Sequence, residues 1–269
     1  MTPFTPTLDD LKSVITILAV FKLPNELALL VLDHARYWAE YKMESTRPFV
    51  LVDEDWVLDY SAAYPYLCVP VLVDVNRQDE PLKIREIAFT VVSHDQGWTT
   101  EPTKGTYETS SWFEVSIIRP RQAHSGVQET RFQPMARRLR DMVTRRETAD
   151  SIIAASRIML PDGSFDLVRR PSSLMEPQRL HCTEMMEVKS EGVKEGECAW
   201  YLQGNEVARE KSVFEGEMIK RYNVCWGSKA NPIQVANEGA GSGEDFIDLL
   251  QKNDIICVWA RAKASVSVL

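Results

Sequence analysis

Residues 84 to 120 read IREIAFTVVSHDQGWTTEPTKGTYETSSWFEVSIIRP, and this stretch decides the fold of the chain. Ile84 to Ser93 is rich in β-branched residues, and Ser111 to Arg119 alternates in polarity; both patterns are typical of strands. The polar loop between them is crowded with hydrogen-bonding side chains. Because binding groups usually lie on loops at the end of a rigid scaffold, this loop is the first candidate site.

Further short segments of strand type lie on both sides of this stretch. They are Cys68 to Val75, Cys198 to Glu210, Glu217 to Trp226 and Asp254 to Ala262. Long loops separate them without regular alternation of strand and helix, which favours an antiparallel sandwich over a parallel α/β sheet. We therefore expect a mainly β protein, an antiparallel jelly-roll-type β-sandwich with N-terminal helices and a helical or loop insertion.

Two amphipathic helices are predicted near the start of the chain. Thr7 and Asp10 form a capping pattern before apolar residues at helical spacing over residues 8–20, and Pro24 begins a second apolar stripe that runs to about Tyr41. We expect residues 1–60 to form a helical segment packed on the body. Residues 61–269 are expected to form the β-sandwich domain, interrupted by the insertion at about 121–196.

The charge balance argues against nucleic acid as a partner. The formal net charge of -8 repels phosphate backbones. The basic patch from Arg137 to Arg146 would spread over more than one helix face, so we interpret it as a solvated surface. The apolar run from Val14 to Phe21 is too short to span a membrane. We expect partners to include neither nucleic acid nor a membrane.

The five cysteines are scattered, with no Cys-x-x-Cys motif and no Cys and His at zinc spacing. Such a set indicates reduced thiols, and the absence of any Asn-x-Ser/Thr sequon agrees with a cytoplasmic location. Cys68, Cys225 and Cys257 lie in apolar runs and are interpreted as small hydrophobic residues. A loop containing Gly239, Gly241 and Gly243 lacks the setting of a phosphate cradle and is expected to be flexible.

No cofactor is predicted. A Gly-x-Ser-x-Gly elbow, a Rossmann fingerprint and a Walker motif are all missing from the sequence. His94 and Gln96 lack further ligands for zinc, and Asp95 with Glu114 falls short of a calcium shell. If the protein is an enzyme, we expect it to work without a nucleotide, flavin or metal.

The candidate site combines aromatic walls with a few polar orienting groups. The predicted ligand-binding residues are Asp95, Gln96, Trp98, Tyr107, Trp112, Trp226, Trp259 and Arg261. If a proton moves, His94 or Glu114 would act as the general acid or base. The alternative interpretation is that Asp95 and Gln96 tie down the loop while the tryptophans fill the core.

Four motifs resemble a largely uncharacterised group of filamentous-fungal proteins. They are SHDQGW (Ser93 to Trp98), GTY (Gly105 to Tyr107), SWFEV (Ser111 to Val115) and DIICVWARA (Asp254 to Ala262). The resemblance implies a jelly-roll sandwich of the galactose-binding or F-box-associated kind and leaves residues 121–196 unexplained. Leu23 to Trp38 also resembles the opening of an F-box-like helix pair. Such a resemblance implies a fold and no defined reaction.

Functions of different classes stay open at this point. The first is a ligand-binding β-sandwich protein with an aromatic-lined pocket for a small molecule or glycan. The second is a cofactor-independent cyclase or isomerase of fungal secondary metabolism, of the pericyclase or Diels-Alderase type, which needs mainly shape and one or two hydrogen bonds. A third is an F-box-like adaptor that recruits a protein partner through the N-terminal helices. We favour binding, because no constellation of residues demands chemistry.

Overall fold

The structure is a computed structural model. It describes residues 5–46, 50–51, 61–71, 84–95, 104–120, 165–171, 198–207, 219–233 and 237–263. The predicted site residues Gln96 and Trp98 lie outside these ranges, as do the arginine patch and most of the predicted insertion.

The described part of the chain is rich in antiparallel strands and contains few helices. Its strands are β1 (Ala62–Pro70), β2 (Glu86–Ser93), β3 (Ser111–Pro120), β4 (Phe165–Leu167), β5 (Trp200–Gly204), β6 (Lys220–Gly227) and β7 (Ile255–Ala262). Three helices, α1 (Leu8–Val20), α2 (Asn25–His34) and the short α3 (Phe246–Leu249), accompany them. One of the strands, β4, lies inside the stretch predicted to be a helical or loop insertion.

Strand β3 is the centre of the larger sheet. It pairs with β7 along one edge, and β7 pairs in turn with β1. The other edge of β3 is shared by β5 at its beginning and β4 at its end. Strands β2 and β6 form a separate antiparallel pair, in register from Glu86 opposite Gly227 to Ser93 opposite Lys220. The loop quoted above therefore connects one sheet to the other.

A cluster of buried apolar side chains joins the two sheets in a sandwich-like arrangement. Directly paired residues of an antiparallel sheet share a face, so Val115 and Val258 project together from β3 and β7. They meet Trp226 of β6 in the same cluster. Its buried members are Val71, Val115, Ile117, Trp200, Leu202, Val224, Trp226, Phe246, Ile247, Leu250, Ile256 and Val258.

The opposite face of the larger sheet is buried as well. Glu114 is paired with Trp259 and Trp112 with Arg261, so these four side chains share the face that points away from the core cluster. Trp112, Glu114 and Trp259 are each less than a tenth exposed, and none of them belongs to the core cluster. We call this side of the sheet the second face. Since β3 is buried on both sides, its side chains need not alternate between apolar and polar.

The three glycines expected to form a flexible loop make close contacts instead. Gly243 has a φ of +61°, and a β-carbon there would lie 2.0 Å from the Trp226 ring. Gly239 has a φ of +77° and lies under the ring of Tyr107. Gly241 donates its backbone N–H to Leu202 at 3.0 Å and accepts the indole N–H of Trp226 at 2.8 Å. The prediction of a flexible loop is therefore wrong, because this segment packs on β5 and β6.

The N-terminal residues form a compact unit, Met1–Thr46, distinct from Arg47–Leu269. Thr7 and Asp10 form the reciprocal capping box at the start of α1. The second helix ends at His34 rather than near Tyr41. Arg36 adopts a left-handed backbone with φ of +49°, and the N–H of Tyr37 bonds back to Leu32 at 2.9 Å, which closes the helix as a Schellman motif does.

The N-terminal unit carries much of its apolar surface on the outside. Only Ala28 and Leu32 are buried in its two helices, whereas Val20 and Phe21 are about three quarters exposed. Packing of this unit on the body stays a prediction. Among the described residues, no helix combines the length and apolar character that crossing a membrane requires.

Candidate functional site

The two ends of the quoted loop are held together by one buried carboxylate. Asp95 is the second residue after the end of β2 and is only 3% exposed. Its Oδ1 accepts hydrogen bonds from Ser111 Oγ at 2.6 Å and from Thr109 Oγ1 at 3.1 Å. Because Ser111 begins β3, these bonds join the end of one sheet to the start of the other.

Asn205 adds hydrogen bonds from a third segment of the chain. Its side-chain N–H₂ donates to Ser111 Oγ at 2.9 Å and to the His94 carbonyl at 3.2 Å, while its backbone N–H donates to the Ser111 carbonyl. We call the set of His94, Asp95, Thr109, Ser111 and Asn205 the Asp95 network. It fixes three chain segments relative to one another.

One buried atom of the network has no hydrogen-bond partner in the described part of the chain. Asn205 is 3% exposed, and no described residue donates a hydrogen bond to its Oδ1. An unsatisfied buried acceptor typically costs about 1–3 kcal/mol. The amide orientation follows from its surroundings, because the His94 carbonyl can only accept and therefore faces the N–H₂ group. Oδ1 is thus a buried acceptor whose hydrogen-bonding capacity the described residues leave unused.

His94 lies at the exposed edge of the network. Its ring Nδ1 is 2.6 Å from the Asp95 carbonyl oxygen, so Nδ1 must carry the proton and donate. In the neutral ring, Nε2 is then an acceptor, and the described residues offer it no hydrogen bond. The imidazole is therefore oriented by the backbone and presents Nε2 outward.

Tyr107 lies in the same loop and packs against residues from other segments of the chain. Its ring packs on Gly239 and makes an edge contact with Tyr222 at a centroid distance of 6.4 Å. Burial raises the pKa of the Tyr107 phenol, and the charges of Glu206 and Glu238 raise it further. The phenol stays protonated at neutral pH, and within the described ranges its hydroxyl has no hydrogen-bond partner.

A charged rim borders the tyrosines. Lys220, at the start of β6, forms an ion pair with Glu206. The hydroxyl of Tyr222 accepts the backbone N–H of Glu206 at 2.9 Å. Burial is the main cause that raises the pKa of Tyr222. These contacts hold Glu206 beside the phenol of Tyr107.

Glu114 and Arg261 form a second polar arrangement, on the second face of the larger sheet. Glu114 Oε1 accepts the indole N–H of Trp112 at 2.8 Å, and Oε2 accepts Arg261 Nε at 2.9 Å. Arg261 also lies 3.4 Å from Ser61 Oγ. Both carboxylate oxygens are thus engaged in a buried setting, and no hydrogen bond of the described residues links Glu114 to His94.

Two other predicted site residues, Trp226 and Trp259, lie in different layers of the fold. Trp226 has no exposed surface; it packs edge-on against Phe89 and in a tilted arrangement against Phe246 in the core cluster. Trp259 lies on the second face opposite Glu114, and its buried indole N–H has no hydrogen-bond partner among the described residues. The structure therefore places Trp226 inside the core and Trp259 beside the Glu114 ion pair.

The predicted site residues fall into separate groups in the structure. His94, Asp95 and Tyr107 lie around the segment of residues 204–207, whereas the second face holds Trp112, Glu114, Trp259 and Arg261. Sequence reasoning missed Thr109, Ser111 and Asn205. The hydroxyl-rich run from Thr109 to Ser111, directly before a strand, was a usable signal for the first two.

No group of three or more His, Cys, Asp or Glu side chains in the described ranges is arranged to hold a metal ion. Comparisons with protein-family models, with curated proteins and with solved structures found no match to this chain.

Proposed function

We propose that this protein binds a small molecule or glycan at the loop end of a jelly-roll-type β-sandwich, with Asn205, His94 and Tyr107 as the contacting residues. The buried, unpaired Oδ1 of Asn205 is the observation that carries the proposal. A native protein rarely leaves such an atom unsatisfied, and a ligand hydroxyl or N–H would satisfy it.

The chemistry of the three contacting groups indicates the kind of ligand. Asn205 Oδ1 and the Nε2 of neutral His94 are acceptors, and the protonated Tyr107 hydroxyl is a donor. A ligand with several hydroxyl groups would match all three, because each hydroxyl both donates and accepts. The apolar ring of Tyr107 adds a surface for the hydrocarbon part of such a ligand.

The Asp95 network supports binding by holding its groups in place before a ligand arrives. Asp95 ties Ser111 to the end of β2, and Asn205 ties both to the end of β5. Groups that are already ordered lose little entropy on binding, so more of the contact energy appears as affinity. The network therefore acts as a frame for the contacting residues.

Binding is favoured over catalysis by the position of Glu114. His94 and Glu114, either of which was predicted to act as the general acid or base, belong to different hydrogen-bond networks, and both oxygens of Glu114 accept hydrogen bonds. A proton transfer would need a second group within reach of His94. Asp95 is the chain neighbour of His94, and its Oδ1 already accepts two hydroxyl hydrogen bonds.

The proposal is tested with a ligand screen by thermal shift and native mass spectrometry, using glycans and a set of polar metabolites. A ligand that binds the native state raises the melting temperature by mass action. We expect a hit to protect the wild-type protein and to be retained without chemical change. A hit that leaves as an isomer would overturn the binding proposal in favour of the cyclase alternative.

A pair of matched double variants locates the site. His94→Ala with Tyr107→Phe removes two proposed contacts, and His34→Ala with Tyr41→Phe makes the same chemical changes on the exposed N-terminal unit. We expect the first to lose affinity by about tenfold or more, and the second to bind as the wild type does. Equal affinity in both would exclude this loop end as the site.

A further inference from the structure

Two cysteines face each other across neighbouring strands. Cys68 of β1 and Cys257 of β7 are directly paired, and their sulfur atoms lie 3.6 Å apart. Both residues are thiols in this structure. Sequence analysis interpreted both as small hydrophobic residues because they lie in apolar runs. No local pattern relates two positions that are 189 residues apart.

The backbone at this pair is suited to a disulfide. Direct partners in an antiparallel sheet have Cα atoms about 4.5–5.5 Å apart, and disulfides span about 4.4–6.8 Å between Cα atoms. The two side chains also leave the sheet on the same face, as direct partners must. The sulfur atoms would approach from 3.6 Å to a bond of about 2.05 Å through side-chain rotation, with the strands in place.

The two thiols differ in accessibility. Cys68 is partly exposed on β1, which pairs only with β7 among the described strands, while Cys257 is completely buried. Burial raises the pKa of the Cys257 thiol, and the hydrogen bond to Cys68 raises it further. Only the thiolate is nucleophilic, and the raised pKa keeps the Cys257 thiol protonated. Cys68, the more accessible thiol, is therefore the one that reacts first with a dissolved oxidant.

We propose that Cys68 and Cys257 are a redox-modification site that forms a reversible disulfide with a low-molecular-weight disulfide such as oxidised glutathione. The Cys68 thiolate attacks one sulfur of the oxidant, which forms a mixed disulfide and releases one small thiolate. The Cys257 sulfur then gives up its proton and attacks Cys68 Sγ, which releases the second small thiol. Two protein thiols lose two electrons, and the oxidant becomes two thiols.

The disulfide would fasten the edge of the larger sheet. Strand β1 is held by β7, and Ser61, directly before β1, contacts Arg261. A covalent bond between β1 and β7 closes a long loop of chain, which restricts the unfolded state strongly. We expect the melting temperature to rise by about 5–10 °C on oxidation and to return on reduction.

The test is to equilibrate the purified full chain with oxidised and reduced glutathione at several ratios, block remaining thiols with a maleimide, and map peptides by mass spectrometry. We expect a peptide pair joined through Cys68 and Cys257 and lacking two hydrogen atoms, which disappears on reduction. Cys225→Ser removes a partly exposed thiol on β6 and serves as the matched control, so it should form the same pair.

The second measurement is the melting temperature of the oxidised protein. Cys68→Ala should abolish the rise that oxidation produces in the wild type, and Cys225→Ser should retain it. The proposal is overturned if strong oxidation leaves both cysteines labelled by maleimide, or if Cys68 is found joined to a different cysteine.

Discussion

The side-chain amide of Asn205 donates a 2.9 Å hydrogen bond to Ser111 Oγ, and Ser111 Oγ donates in turn to Asp95 at 2.6 Å. This chain of bonds connects the ends of β5, β3 and β2 at one point. It leaves the Asn205 acceptor unpaired and holds His94 at the exposed edge. The candidate site depends on this relationship.

We expect Asp95→Ala to lower the free energy of unfolding by about 2–3 kcal/mol, because two hydroxyl hydrogen bonds to a buried carboxylate are lost. Thr90→Val is the control, since it removes an exposed hydrogen bond to Asn223 and should change stability by less than about 0.5 kcal/mol. Urea denaturation measures both. Similar values for the two variants would show that the network does not stabilise the protein.

A second prediction concerns the ion pair on the second face. Arg261→Met leaves the Glu114 carboxylate buried with one partner fewer, and we expect it to cost about 3 kcal/mol. Adding Glu114→Gln should recover part of this loss, because the uncompensated charge is then gone. Lys42→Met breaks the exposed pair with Glu44 and should have little effect. Denaturant unfolding of the wild type and these three variants is the measurement, and a double variant no more stable than Arg261→Met would contradict the pairing.

The strands were the part of the fold that sequence patterns predicted best. The ends of β3 and β7 agree with Ser111 to Arg119 and Asp254 to Ala262 within one residue, because β-branched and aromatic residues fill both segments. β1 was predicted too late in the chain. Its first half carries Pro65 beside a register shift, and proline weakens the pattern of a strand.

The distribution of the site residues could not be predicted, because it depends on strand pairing. Trp112 and Glu114 belong to the second face, while Trp226 belongs to the core, and only the registers show this. Asn205 directly follows the end of β5 at Gly204. Its side chain reaches Ser111, 94 positions away, and no local pattern marks a contact of that range.

A third prediction concerns alkaline pH. The pKa of Tyr222 is raised, chiefly by burial, above its ordinary value of 10.0. The folded state therefore holds this proton more tightly than the unfolded state, and the free energy of unfolding falls as pH rises above about 10. Tyr222→Phe should make that fall smaller. Tyr41→Phe, on the exposed N-terminal residues, should leave it unchanged.

The measurement is the difference in unfolding free energy between about pH 8 and pH 11 for the wild type and both variants. Tyr222→Phe also loses the hydrogen bond from Glu206, which shifts stability at every pH, so the slope with pH is the informative quantity. If the unfolding free energy of Tyr222→Phe fell with pH as steeply as that of the wild type, burial of Tyr222 would not be a cause of the fall.

A fourth prediction concerns the glycine segment. Gly243→Ala places a methyl group in a left-handed backbone position and against the Trp226 ring, so we expect a loss of about 2–4 kcal/mol. The neighbouring Ser242→Ala changes an exposed side chain and should stay within about 0.5 kcal/mol of the wild type. Thermal unfolding followed by tryptophan fluorescence checks both. A harmless Gly243→Ala would mean that this segment does not pack on Trp226.

The central claim is that a ligand contacts Asn205. The side-chain amide signal of Asn205 in an NMR spectrum of the asparagine-labelled protein tests this claim most directly. The signal is assigned by its loss in Asn205→Ala, and Asn223, whose Oδ1 already accepts from Thr90, is the internal control. We predict that a saturating ligand from the screen moves the Asn205 amide signal and leaves that of Asn223 in place. A bound ligand that leaves the Asn205 signal unmoved would contradict the account.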